Sequence, residues 1–177
     1  MLNENNHLLV FLLACVIIYK YKSFGDGVNN MNVKIETKWT TNTDSPEYLD
    51  ALKVRHEVFV VEQGVSIEEE IDELENETDH LVIYENSEPI AAARIYDLGS
   101  NTYKAHRVCV LKDARGKGYG VEIMHQIELR AQKLGARRIT LGAQNTAIPF
   151  YEKLGYQTEG EEFLDAGIPH HTMTKII

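Results

Sequence analysis

The chain has 177 residues with 44% apolar content, the size and composition of one globular domain able to bury roughly 70% of its unfolded surface. A net charge of -9 argues against nucleic acid or an anionic membrane surface as a general partner. The two cysteines, Cys15 and Cys109, lie in apolar runs with neither metal-ligand spacing nor a disulfide framework, which fits a reducing, cytoplasmic setting. Cys109 reads as a small buried hydrophobe rather than a nucleophile.

Residues 8–19 are uninterruptedly apolar, shorter than the roughly 20 residues that span a bilayer. Glu4 stands where a signal peptide carries positive charge, and no small-x-small cleavage site follows. Lys20 and Lys22 flank the far side. The preferred reading is an extension over 1–30 with the domain over 31–177, so that Met31 is the effective start; the rival is a membrane anchor.

Val33, Ile35, Thr37 and Trp39 alternate as a first strand. Ser45-Pro46-Glu47 opens a helix, with serine as N-cap and proline in the first turn. Leu49, Leu52, His56 and Phe59 fall on one stripe of that helix, which makes His56 a packed histidine rather than a ligand. Residues 57–88 then hold twelve Asp or Glu and no Lys or Arg. They read either as a solvated loop and short helix or as an anionic wall, centred on Glu70 and Asp72, that attracts a cationic amine.

Two strands over 80–84 and 89–96 flank a turn at Glu85–Glu88, and a third covers 103–111. A glycine turn follows. Val121, Met124, Ile127, Ala131 and Leu134 repeat at helical spacing up to Gly135. A strand over 137–143 leads to a short helix with Thr146 as N-cap, Pro149 in its first turn and Gly155 after its end. Strands over 156–163 and 171–177 complete the chain. The order predicts an α/β fold, a mixed and mostly antiparallel sheet flanked by helices.

The turn Arg115-Gly116-Lys117-Gly118-Tyr119-Gly120 lets backbone N–H groups converge at a helix start, a place to hold phosphate. It lacks the G-x-x-x-x-G-K-[ST] of a P-loop and the G-x-G-x-x-G of a dinucleotide fold. Arg115-x-x-Gly118-x-Gly120 directly after a strand resembles the pyrophosphate loop of the GNAT superfamily of N-acetyltransferases. The segment Ala147-Ile-Pro-Phe-Tyr-Glu-Lys-Leu-Gly-Tyr156 resembles that superfamily's A-x-x-[LF]-Y-x-K-x-G-[FY] motif, one helix and one strand later, as its fold requires. Val54–Gln63, Glu69–Asp72, Asp79-His80 and Phe163–His170 look like its YjcF-like, ElaA-related bacterial branch.

The resemblance implies a set of roles. The backbone of Arg115 to Gly120 holds the pyrophosphate of acetyl-CoA, aided by the charges of Arg115 and Lys117. Nine of the eighteen basic residues fall between 104 and 138, against three acids, a locally basic region for an anionic cosubstrate. The pantetheine arm lies beside Val108 and Val110, and the Val110 N–H faces the thioester oxygen. Tyr151 matches the family's proton donor to the leaving thiolate.

His106 stands near where the family often has a base glutamate, and alternation puts it on the face of Val108 and Val110. Glu70 and Asp72 are rival bases acting through water. Gln144 replaces a common asparagine that touches coenzyme A, with Asn145 next to it. The expected activity is direct acetyl transfer from acetyl-CoA to a small cationic amine in a ternary complex, without a metal. The alternative is a non-catalytic acyl-CoA-binding regulatory module. A homodimer is left open.

Overall fold

The computed structural model describes residues 33–177. The apolar run, Cys15 and Met31 lie outside the described residues. Seven strands form one sheet: β1 (Ile35–Thr40), β2 (Asp79–Glu85), β3 (Glu88–Asp97), β4 (Thr102–Val110), β5 (Arg138–Gln144), β6 (Gln157–Asp165) and β7 (Ile168–Ile176). Their order is β1-β2-β3-β4-β5-β7-β6, with β4 and β5 parallel and every other neighbouring pair antiparallel.

Local chemistry sets the connections. The β2–β3 turn places Asn86 and Ser87 at φ 52° and 71°, and the β6–β7 turn places Ala166 and Gly167 at 48° and 74°. Two successive positive φ values give the tight turn whose twist matches that of the strands it joins. The parallel β4–β5 pair needs a crossover, supplied by helix α3 (Tyr119–Lys133).

Helices cover both faces. Leu81, Ile83, Ala91, Ala93 and Ile95 meet Ile123, Met124, Ile127 and Ala131 of α3 in the main core. On the opposite face Val82, Tyr84, Ala92 and Cys109 meet Ala51 and Val54 of α1 (Pro46–Arg55) and Val58 beyond it. Burial pushes the Cys109 thiol up to about 12, so it stays an inert thiol at neutral pH.

The first helix is rotated from the stripe expected of it. Ser45 caps it as predicted, accepting from the Tyr48 N–H. Its buried side is nevertheless Tyr48, Ala51, Val54 and Arg55, while Leu49 is 51% exposed and His56 is also exposed. The cause is Arg55, sealed in the interior at 0% exposure, and charged side chains are rarely buried unless paired. A π-helical segment, His56–Glu62, then continues the chain.

Two short helices frame the site. Helix α2 (Ile67–Glu70) carries the acidic segment and is capped by Ser66. Helix α4 (Ile148–Lys153) follows a 3₁₀ turn over Asn145–Ala147, so its N-cap is Ala147 and not Thr146. No helix among the described residues is long and apolar enough to cross a membrane.

Candidate active site

The site begins where two strands part. β4 and β5 pair only through Thr102–Ala105 and Arg138–Leu141. Beyond that β4 stays with β3 and β5 with β7. A cavity of about 420 Å³ opens in the wedge, walled by His106–Val108 of β4, Leu141, Gly142 and Gln144 of β5, Tyr151, His170 and the acidic segment Glu68–Asp72.

A β-bulge shapes its β4 wall. Cys109 is opposite Ala92 and His106 opposite Arg94, so β4 has one residue more than β3 between them. Arg107 absorbs it at φ 53°. The extra residue resets the alternation: Val108 and Val110 pack on the main core, while His106 shares the Arg94 face. The expectation that these three side chains share a face is thereby corrected. Leu111 N–H donates to the Ile90 carbonyl, and ladder alternation turns the Val110 N–H and C=O away from β3, toward the wedge.

The glycine turn follows β4. Gly116 and Gly118 have φ 79° and 91°, the left-handed region that glycine enters without cost, and Gly118 is the N-cap of α3. A Cβ on Gly120 would lie 3.2 Å from Phe150 Cζ, so glycine also permits α3 to meet α4. Arg115 and Lys117 are both tied to acids. Arg115 makes a two-pronged pair with Glu62 (2.7 and 2.6 Å) and donates from Nε to the Val110 carbonyl (3.0 Å). Lys117 and the Tyr119 hydroxyl both donate to Glu85.

Three arginines neutralise three carboxylates beneath the acidic segment. Arg55 grips Glu70 through Nε and Nη2 (2.6 and 3.0 Å) and Glu75 through Nη1 and Nη2 (3.0 and 2.6 Å). Arg94 holds Glu75 at 2.6 Å and Asp72 at 2.5 Å. Arg107 donates to the backbone carbonyls of Glu69 and Glu70, which ties α2 to the bulge. Glu70 and Asp72 were expected to meet a cationic amine, but their charge is already matched by the protein's own guanidinium groups. For Asp72, burial pushes the carboxyl up, and Arg94 outweighs it to hold the pKa below the ordinary range.

His106 sits inside this network. Its Nδ1 lies 2.9 Å from Arg94 Nη2 and its Nε2 3.2 Å from Arg107 Nη1. Burial, then the charges of Arg107 and Arg94, push its pKa down to about 3. The ring is therefore neutral at physiological pH and cannot retain a proton taken from an amine.

Of the remaining sequence candidates, Tyr151 lines the wedge and is buried against Phe150 and Tyr156. Burial raises its phenol above the ordinary value, so it stays protonated. Gln144 lines the wedge and donates to Gln63 (3.1 Å). Asn145 turns elsewhere, to Glu162 and His171. The cavity thus brings together His106, Val108, Gln144, Tyr151, Glu70 and Asp72, while Val110, Asn145 and Arg115 to Gly120 lie outside its lining. Sequence reasoning missed Arg55, Arg94, Arg107 and Glu75 as a unit, and gave His170 no role. The one available signal was the acidic run itself, which had to be balanced by cations from other elements.

Residues 42–177 match the family profile described as an acetyltransferase (GNAT) domain. The uncharacterised N-acetyltransferase YjcF of Bacillus subtilis is 50% identical over 127 residues, covering 71% of this chain and 90% of that protein. Among solved structures, an acyl-CoA N-acyltransferase from Pseudomonas aeruginosa superposes with TM-score 0.71 at 28% identity, covering 80% of this chain and 99% of its own. Escherichia coli ElaA superposes with TM-score 0.68 at 26% identity, covering 81% and 99%.

Proposed function

The chain belongs to the GNAT acetyltransferase family and is an acyltransferase, and on that premise we propose that it moves an acetyl group from acetyl-CoA directly to a primary amine in a ternary complex. The observation that carries this reading is the parting of β4 from β5 after Ala105, beside Tyr151. A strand whose outer edge is unpaired can accept the amide groups of an extended ligand arm as a further strand would. The similar Pseudomonas protein is named for acyl-CoA, which fits such an arm.

In this reading the backbone amides between Arg115 and Gly120 hold the pyrophosphate, helped by the start of α3. Arg115 and Lys117 contribute by shaping the turn and offsetting phosphate charge. Val108 and Val110 guide the pantetheine, and the Val110 N–H meets the thioester oxygen as it gains charge. The amine nitrogen attacks the carbonyl carbon, the C–S bond breaks, the sulfur takes the Tyr151 phenolic proton, and the nitrogen sheds one proton, exchange with solvent restoring the phenol. Gln144 borders the acyl end. Among the described residues no activated nucleophile pair calls for a covalent enzyme intermediate, since Cys109 is buried as a thiol.

The acceptor is a small cationic amine. Glu68, Glu69 and Asp165 line the cavity, and among the described residues none of their carboxylates forms a salt bridge with arginine or lysine, Arg107 reaching only the Glu69 backbone carbonyl. Glu70 and Asp72 support that wall rather than meeting the amine. A cytoplasmic setting is supported by the free Cys109 thiol.

A second reading is favoured by one observation, the neutral His106 held between two arginines: an acyl-CoA-binding module without turnover. Coenzyme A release from acetyl-CoA across a panel of primary amines, beside calorimetry of acetyl-CoA binding, separates the two. Acetyl-transfer requires turnover with at least one amine; binding with no turnover selects the module.

A further inference from the structure

We infer that His170 is the base that takes the acceptor's proton, an assignment that rests on the acetyl-transfer reading above. His170 lies near the start of β7, opposite Gln144 of β5 and Phe163 of β6, three residues after the tight turn at Ala166-Gly167. Its Nδ1 lies 2.8 Å from the Ile168 carbonyl. A carbonyl oxygen only accepts, so Nδ1 carries the hydrogen and the neutral ring keeps its lone pair on Nε2. Nε2 has no hydrogen-bond partner among the described residues, and the residue lines the same cavity as Tyr151. A ring locked in one tautomer by a backbone carbonyl, with its other nitrogen unengaged beside a reaction cavity, is arranged for proton acceptance.

The packing keeps the ring in that pose. His170 is 8% exposed and stacks on Phe163, with ring centroids 5.7 Å apart and planes at 24°. Gly142 makes room for the stack: a Cβ there would lie 3.3 Å from Phe163 Cζ and 3.7 Å from His170 Cδ2. The contrast with His106 is electrostatic. His106 has a guanidinium at each ring nitrogen, whereas the charged groups sharing the cavity with His170 are Arg107, the already paired Glu70 and Asp72, and Glu68, Glu69 and Asp165, whose carboxylates form no salt bridge with arginine or lysine among the described residues. An imidazolium formed at His170 faces a surplus of carboxylates.

The proton account closes. An acceptor ammonium gives one proton to His170 Nε2, which relays it to water; the neutral amine then attacks the thioester, and Nε2 takes the second proton as the new amide nitrogen sheds it. If the amine arrives neutral, the same nitrogen takes the proton that the new amide nitrogen sheds. The thiolate leaves with the Tyr151 proton, and exchange with water restores both side chains. The net products are the acetylated amine, coenzyme A thiol and, when the acceptor starts as an ammonium, one proton released to water, with no further reactant.

The test compares the full chain with its His170→Asn variant, which keeps a side-chain donor for the Ile168 carbonyl but has no basic nitrogen. Coenzyme A release is followed from pH 5.5 to 9 with spermidine, phenylethylamine and glutamate as acceptors, and acetyl-CoA affinity is measured by calorimetry. The expected result is a kcat loss of about 100-fold or more, an acetyl-CoA Kd within about twofold, and loss of the acidic limb of the kcat profile. Wild-type turnover with an unchanged variant rate and limb overturns the His170 assignment alone. No wild-type turnover on any acceptor overturns the acetyl-transfer reading with it. A second measurement needs no variant: ¹⁵N spectra of the wild-type ring must show Nδ1 protonated in the neutral form and a titration matching the kcat limb. The opposite tautomer, or a mismatched midpoint, overturns the assignment even if the variant fails to fold.

Discussion

Arg55 and Glu70 face each other as a two-pronged ion pair, Nε to Oε1 at 2.6 Å and Nη2 to Oε2 at 3.0 Å, with both side chains sealed from solvent. The pair fastens α1 to the acidic segment that walls the cavity. Its energetic meaning lies less in the attraction than in what remains if one partner goes, because an unmatched buried charge has lost its water for nothing.

Arg55→Met should therefore destabilise the fold by about 3–5 kcal/mol, since it removes the two-pronged partner of the buried Glu70 and leaves Glu75 with Arg94 alone. Urea denaturation monitored by circular dichroism reads this directly. A midpoint unchanged from wild type would mean that water reaches these carboxylates.

Acid should weaken the same cluster. Burial pushes the Asp72 and Glu75 carboxyls up, but hydrogen bonds and charge from Arg94 and Arg55 outweigh it, so both folded pKa values lie below ordinary ones. Groups with depressed folded values stabilise fully above their unfolded values, about 3.9 and 4.3, and lose that contribution as pH falls through the folded ones. The Tm should hold near neutrality and drop steeply below about pH 4. A Tm constant down to pH 3 would contradict the role given to this cluster.

Tyr151→Phe should lower kcat by about 10²- to 10⁴-fold with acetyl-CoA affinity intact, the pattern of a group acting only as the C–S bond breaks. Stopped assays of coenzyme A release and calorimetry together separate that pattern from misfolding. A variant turning over like wild type removes Tyr151 from the mechanism.

Gly118→Ala should weaken acetyl-CoA binding through the backbone. At φ 91°, with no atom within 4 Å of an added Cβ, the cost is conformational rather than steric. A left-handed residue with a side chain costs about 1–2 kcal/mol, so the turn relaxes and the Kd rises about 5- to 30-fold. Calorimetry at constant salt checks it, and an unaltered Kd would detach the turn from the cosubstrate.

The order of strands and helices is legible in the sequence because each element announces itself locally: Ser45-Pro46 starts a helix, and the glycines at 116 and 118 mark a left-handed turn. The family signature at Ala147–Tyr156 places the phenol of Tyr151 in the wedge for the same reason. What fails is long-range. Strict alternation cannot foresee that Arg107 inserts a residue into β4, so His106 is assigned to the wrong face. Helical periodicity that counts only apolar residues cannot foresee Arg55 in the interior, because the carboxylates that admit it come from Glu70 and Glu75. His170 is invisible as a base until the Ile168 carbonyl fixes which nitrogen holds the hydrogen.

Strand β6 forms one border of the sheet, and all nine of its residues, Gln157–Asp165, are exposed. Glu159, Glu161, Glu162 and Asp165 line this border, so a second molecule approaching it meets like charge before any rung can form. The chain thus carries its own guard against growing into fibrils, and that guard depends on ionised carboxylates. Acidification should therefore unmask self-association along this border, apart from any loosening of the interior.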